Sequence, residues 1–238
     1  MMNLRQCWIS VVILSLHIPK TADTPFRMAL RQRLGQAVLM AYRGKVFNTA
    51  GGVVCQFEGL QLKELNDKDA KLLLEYCETH EVQCIHGHFT LSALHGVFAE
   101  RRCLTFVRDP VDRLLSAYNH MCATAPDLIP AMPFEDFMRL ERTRNVYEQV
   151  GLVDHLEDVE FVGLTEEYDR SLELLGRKFP TLQGLKATQD GEVKDNFLTR
   201  SDITPKLAHE LHELNRLDFE IYEAVKGWFL DECKSYGV

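Results

Sequence analysis

No stretch of this 238-residue chain is apolar for long enough to cross a bilayer. The longest such run, WISVVILSL over residues 8–16, falls well short of the roughly 20 residues that a membrane-spanning helix needs. It lies behind Arg5 much as the apolar core of an export signal would, but no small-x-small cleavage site follows. The run is therefore read as a buried strand, and no membrane span is expected. An excess of positive charge is also missing: 27 Lys and Arg stand against 35 Asp and Glu, a formal net charge of −8. Such a chain has no general affinity for nucleic acid, so any anion site must be local. Nor is there an even set of cysteines to form a disulfide framework. The seven, at positions 7, 55, 77, 84, 103, 122 and 233, lie in apolar or helical contexts, which predicts reduced core thiols and a cytoplasmic protein. Internal repeats and low-complexity tracts are absent. Hydrophobic residues at 46% and charged residues at 26% are globular values and exclude disorder and coiled-coil rods. A single domain over residues 1–238 is expected.

What the chain does have is an alternation of apolar runs with helical periodicities. The strand ending at His17 is followed by a turn, then by Phe26, Met28, Leu30, Leu34, Val38 and Leu39, whose spacing predicts a helix over 25–44. Asn66 or Asp67 caps a second helix with Ala70, Leu73, Leu74 and Cys77 on one face. Short strand VQCIHGH (82–88) and a short helix over 92–98 come next. Strand CLTFVRDP (103–110) ends at an Asp-Pro pair whose proline pre-sets the first turn of a helix running through His120. Residues 122–133, with three prolines, read as a surface loop, and 133–141 as a short helix. Strand VEFVGLTE leads to a helix over 166–179, a polar segment containing TQDGEVKDN, and closing helices over 205–229. Strands alternating with helices predict an α/β fold, a three-layer sandwich with a central parallel sheet flanked by helices. In such sheets ligands bind at the carboxyl ends of the strands, where three unusual motifs lie.

The first motif is HIPKTADT (17–24), between a strand and a helix. Unpaired N–H groups and the positive end of the helix dipole make such a turn an anion site, to which Lys20 adds a mobile charge. The glycines and the GK[ST] ending of a Walker A loop are missing, so a magnesium-nucleotide site is not supported. The simpler alternative is that Thr24 only caps a helix beginning at Pro25. The second motif is FVRDPVDRLLSAYNH (106–120), where Arg108 ends a strand and Ser116 shares a helix face with Asp112. Arg108 offers a planar fork and Ser116 a hydroxyl to one anion; alternatively, Arg108 pairs with Asp109 or Asp112 as a structural salt bridge.

Together these motifs resemble those of the sulfotransferase superfamily, in particular the branch of heparan sulfate 2-O-sulfotransferase and bacterial carbohydrate-type sulfotransferases. HIPKTADT is similar to that family's 5′-phosphosulfate loop, and FVRDPVDRLLSAY to its 3′-phosphate motif. Weaker echoes in PFEDF, FVGLTEEYDRSLELL and LDFEIY extend the resemblance over nearly the whole chain. It implies a P-loop-like sandwich and, as donor substrate, 3′-phosphoadenosine 5′-phosphosulfate with no metal. Lys20, Thr21, Ala22, Asp23 and Thr24 would surround the phosphosulfate, and Arg108 and Ser116 would hold the 3′-phosphate. Lys20 would also stabilise the leaving phosphate oxygen. The implied acceptor is a hydroxyl, with a glycan expected.

The third motif, IHGHF (85–89), offers a base for the acceptor hydroxyl, since histidine titrates near neutrality. The resemblance assigns this role to His88, with His86 in support. In an extended segment the two side chains share one side, so the reverse assignment stays open. Structural histidines are a further alternative, and a metal site built from Cys77, His80, Cys84, His86 and His88 fits no standard zinc spacing. His17 opens the phosphate loop, where it approaches the donor or only packs; Arg200 belongs to a segment that in the family closes over the adenosine end. One position departs from the family. Asp23 stands where Gly or Ser is usual, and a carboxylate there would repel a phosphosulfate. The alternative function is therefore a catalytically silent relative that binds nucleotide or a protein partner.

Overall fold

A computed structural model of the chain describes residues 11–56, 65–98, 101–125, 132–186 and 198–238. In chain order the elements are β1 (Val12–Leu16), α1 (Asp23–Leu34), β2 (Val38–Tyr42), β3 (Lys45–Phe47), β4 (Val53–Gln56), α2 (Asp67–Thr79), β5 (Cys84–Gly87), α3 (Leu91–His95), β6 (Arg101–Val107) and α4 (Pro110–Thr124). There follow α5 (Phe134–Met138), α6 (Val146–Gln149), α7 (Leu152–His155), β7 (Val159–Leu164), α8 (Tyr168–Lys178), α9 (Pro205–Leu214) and α10 (Arg216–Tyr236). The strands form one sheet of order β4-β3-β2-β5-β1-β6-β7. Its strands are mostly parallel and helices flank it, which is the α/β architecture expected from the alternation of elements.

The described residues group into two compact units. The first is drawn from Met1–His17, Leu30–Leu104 and Glu157–Glu160. Here β5 pairs in parallel with β1 on one side and β2 on the other, Ser15 standing opposite His86 and Leu16 opposite Gly87. All five residues of β1 and all four of β5 are buried, as in parallel strands covered on both faces, so neither alternates between an inner and an outer face. Gly87 has φ 152°, and a Cβ there would collide with the Ala41 carbonyl of β2. This position needs glycine. The antiparallel β3 and β4 complete one edge. Helix α2 begins as expected: Asn66 accepts from Asp69 N at 2.9 Å, and Leu73 and Cys77 face inward.

The second unit comprises Ile18–Ala29, Thr105–Leu156 and Phe161–Val238 in its described parts. Leu114, Leu115, Tyr118 and Cys122 of α4 meet Phe134, Phe137 and Met138 of α5 and Leu211 of α9 in one cluster. Each such side chain, fully buried, contributes about 2–3 kcal/mol. Helix α10 buries Tyr222, Val225, Phe229 and Cys233, one helical stripe. Inside the cluster of helices Arg113 pairs with Asp218, which also accepts from the backbone N–H groups of Val146 and Tyr147 at 3.0 and 2.9 Å. The charge is thus satisfied where water is excluded.

Three boundaries depart from the sequence expectation. The helix expected over 25–44 begins earlier, at Asp23, and stops at Leu34, because Gly35 turns the chain at φ 56°. Val38 and Leu39 then lie in β2, an apolar run too short for periodicity to separate helix from strand. Cys122 sits fully buried inside α4 rather than in a surface loop; residues 126–131 of that expected loop lie outside the described residues, as do residues 188–196 of the polar segment. The last helix continues to Tyr236.

Candidate active site

In the second unit the turn over 18–22 is built from a buried Ile18, whose carbonyl accepts from Thr21 N at 3.3 Å and from Thr21 Oγ1 at 2.8 Å. Pro19 precedes Lys20 at φ 73°, the pattern of a type II turn with lysine where glycine is usual. Ala22 is also left-handed, at φ 65°. Two non-glycine residues at positive φ within three positions cost of order 1–3 kcal/mol each, and such strain gathers at functional turns. The first helical hydrogen bond runs from Phe26 N to Ala22 O at 3.2 Å. Asp23 is therefore the first residue of α1 and Thr24 lies within its first turn, so Thr24 is not the cap. The Thr21 hydroxyl, 3% exposed, is committed to holding the turn.

The second loop is held from three sides. Tyr147 Oη accepts from Arg108 N at 3.0 Å and donates to Arg108 O. Asp109 N donates to Glu166 Oε1 at 2.7 Å. Asp109 Oδ1 caps α4 by accepting from Val111 N and Asp112 N, with Pro110 at the first helical position. The Arg108 guanidinium reaches the first loop: its Nη1 donates to Lys20 O at 3.4 Å. The two sequence motifs are thus joined at the starts of two helices, α1 and α4, whose N-termini carry partial positive charge, although the first N–H groups of α4 are already taken up by Asp109. Ser116 is half-buried two turns along α4. Among the described residues the partner of both Asp109 and Asp112 is Arg200, not Arg108.

Farther along the same face stands His120. Its pKa lies below the ordinary 6.5, first through burial and then through the charge of Lys20. It closes the second sequence motif without a role there, although its place four residues after Ser116 is the spacing that shares a helix face.

In the first unit, His86 and His88 flank Gly87 at the end of β5, and His17 follows β1. The rings of His17 and His88 stack at 4.5 Å between centroids, and His17 lies 5.9 Å from His86. Tyr42 meets His88 edge-on at 5.0 Å. His86 is buried at 2% exposure and its Nδ1 lies 2.8 Å from Ser15 Oγ, while His88 is exposed. Sequence reasoning brought out the three histidines but not Ser15 or Tyr42; a strand buried on both faces does not alternate, so Ser15 carries no local signal.

Cysteine chemistry does not compete. The six described cysteines are free and buried, and burial pushes Cys55 and Cys77 up to about 12, with Cys84 higher still. Thiols so raised stay protonated and unreactive. Among the described residues no group of three or more His, Cys, Asp or Glu is arranged to hold a metal ion, and no helix is long and apolar enough to cross a membrane.

The α/β sheet carries two helix-starting loops, with Lys20 in one and Arg108 in the other, an arrangement whose positive charge favours anions. Residues 10–223 match the family model of the sulfotransferase family. The chain belongs to that family. No curated protein matches it in sequence.

Proposed function

We propose that this protein transfers a sulfuryl group from 3′-phosphoadenosine 5′-phosphosulfate to a hydroxyl of an acceptor, with a carbohydrate as the acceptor class and the cytoplasm as its place of action. The observation that carries the reading is the bond from Arg108 Nη1 to Lys20 O, which ties the two loops expected to hold the two ends of the donor. Lys20, Ala22, Asp23 and Thr24 are assigned to the phosphosulfate, with Thr21 holding their turn through its amide and hydroxyl, and Arg108 and Ser116 to the 3′-phosphate. Arginine suits a phosphate because its fork is planar and always charged.

In the transfer, the acceptor oxygen bonds to sulfur as the bond from sulfur to the 5′-phosphate oxygen breaks. The hydroxyl proton goes to His88, and the leaving group is adenosine 3′,5′-bisphosphate, whose new oxygen charge Lys20 stabilises. His88 is assigned as the base because it is the exposed member of its histidine group, whereas His86 is buried against Ser15. Replacing His88 by Ala should lower turnover by roughly 100-fold or more and leave bisphosphate affinity unchanged; normal turnover would remove His88 from the role.

A second reading, a silent relative that binds nucleotide without transfer, is favoured by Asp23. The first residue of α1 is an acid, which competes with an incoming anion for the helix dipole. Calorimetric titration with adenosine 3′,5′-bisphosphate, beside adenosine 5′-monophosphate and ATP, separates the cases. Selective binding of the bisphosphate supports the donor site, and sulfate transfer to sugars then distinguishes enzyme from silent relative. Absence of binding would overturn the donor site and leave only a silent relative that binds a protein partner.

A further inference from the structure

The face of α4 that presents Ser116 also presents two carboxylates, Asp112 one turn earlier and Asp109 at the cap. Beside an anion gripped by Arg108 and Ser116 these are like charges in a partly desolvated place, and they oppose binding. Asp109 cannot swing aside, because its Oδ1 is held by Val111 N and Asp112 N at 2.9 and 3.2 Å. Arg200 answers both. Its Nε donates to Asp112 Oδ1 at 3.0 Å and its Nη2 to Asp109 Oδ1.

Arg200 reaches this place through a second tie on the same helix. Asn119, one turn beyond Ser116 and only 6% exposed, clasps the backbone of Leu198 on both sides: its Nδ2 donates to Leu198 O at 2.8 Å, and its Oδ1 accepts from Leu198 N at 2.9 Å. The turn Arg200–Asp202 that follows is closed by Thr199 and Asp202. The Arg200 side chain itself is 55% exposed, and an ion pair so open to water adds little to stability. Its effect falls on the local potential.

We propose that Arg200 is a positioning residue for the donor: by pairing with Asp109 and Asp112 it cancels the charge that would otherwise repel the 3′-phosphate from Arg108 and Ser116. It acts through the two carboxylates and touches no part of the donor. The inference rests on the donor site proposed above.

The test is calorimetric titration of adenosine 3′,5′-bisphosphate into the parent protein, Arg200→Gln, and Arg200→Gln combined with Asp112→Asn. The single variant should weaken binding by about tenfold, and the double variant should recover most of that loss. Adenosine 5′-monophosphate, which lacks the 3′-phosphate, should respond by less than about twofold. Melting of the single variant should stay near that of the parent. If Arg200 merely anchored residues 198–203, the loss would not depend on Asp112's charge, and a double variant as weak as the single one overturns the proposal. Parent-like binding by Arg200→Gln also overturns it while leaving the donor site standing. A parent protein that does not bind the bisphosphate removes the donor site, and this inference with it.

Discussion

Ser15 and His86 stand opposite each other on adjacent parallel strands, and their side chains meet, Ser15 Oγ lying 2.8 Å from His86 Nδ1. Both are buried, at 1% and 2% exposure, so the bond lies where water cannot replace it. It also settles which ring nitrogen of His86 faces β1. A serine in an otherwise apolar strand is thereby explained by what it holds. Ser15→Ala should lower stability by about 1–3 kcal/mol, the usual cost of stripping a buried polar group of a partner. Urea unfolding measures it. A variant as stable as the parent would mean that this bond contributes nothing to holding the imidazole.

Gly87 stands between the two histidines of β5, and its amide-to-carbonyl run is shared on both sides: Gly87 O accepts from His17 N at 2.8 Å, and the next amide, His88 N, donates to Ala41 O at 2.7 Å. A methyl group at Gly87 would strike that same Ala41 carbonyl. Backbone offers no rotamer by which to yield, so β2 and β5 would have to part. Gly87→Ala should destabilise the protein by about 3 kcal/mol or more, and should displace the rings of both His86 and His88. Unfolding midpoints test the first effect and histidine NMR shifts the second. Normal stability would show that the strands close up differently around this site.

Ala22, left-handed at φ 65°, supplies a prediction of the opposite sign. A left-handed alanine costs roughly 1–2 kcal/mol that a glycine does not incur, against about 0.5–1 kcal/mol by which glycine favours the unfolded chain. Ala22→Gly should therefore stabilise the protein slightly, by up to about 1 kcal/mol. Ala22→Val, β-branched, should destabilise it clearly. The pair of denaturation curves is the check, and a valine variant as stable as alanine would mean that the turn does not hold this conformation in solution.

How far the sequence could be read follows from the range over which each signal acts. Helix α4 was legible from Asp109 and Pro110 alone, because capping is decided within one turn. The strand order, with β1 between β5 and β6, was not, since register between distant segments leaves no local mark. Val38 to Tyr42 fits either period, because a run of five residues is too short to separate helix from strand, and the turn at Gly35 decides. At the candidate site the assignment of Lys20, Arg108 and Ser116 rests on motif resemblance and helix geometry. The pairing of Arg200 with Asp109 and Asp112 is not legible in the sequence, because 91 and 88 positions separate the partners. Nor is the clamp of Tyr147 on the Arg108 backbone, which needs the fold to bring α6 beside β6.

His120 reports on the loop directly. Its folded pKa lies below 6.5, burial being the larger cause and the positive charge of Lys20 the second. Because the folded imidazole releases its proton more readily than the unfolded one, the unfolded chain binds more protons wherever the two differ. Stability is therefore fully present above the ordinary histidine value and declines as pH falls below it toward the folded value, where the decline from this group ends. Lys20→Met removes the repulsion but leaves the burial. In that variant the pKa of His120 should rise part of the way toward 6.5, and the loss of stability between neutral and mildly acidic pH should become smaller. Adenosine 3′,5′-bisphosphate, bringing negative charge to the same loop, should move the His120 pKa upward in the parent protein. A histidine NMR titration resolves both shifts, with urea midpoints at the two pH values as the independent measure. An imidazole that titrates identically with and without Lys20 would place the lysine's ammonium away from α4, and would take from the loop the cation on which the proposed donor site depends.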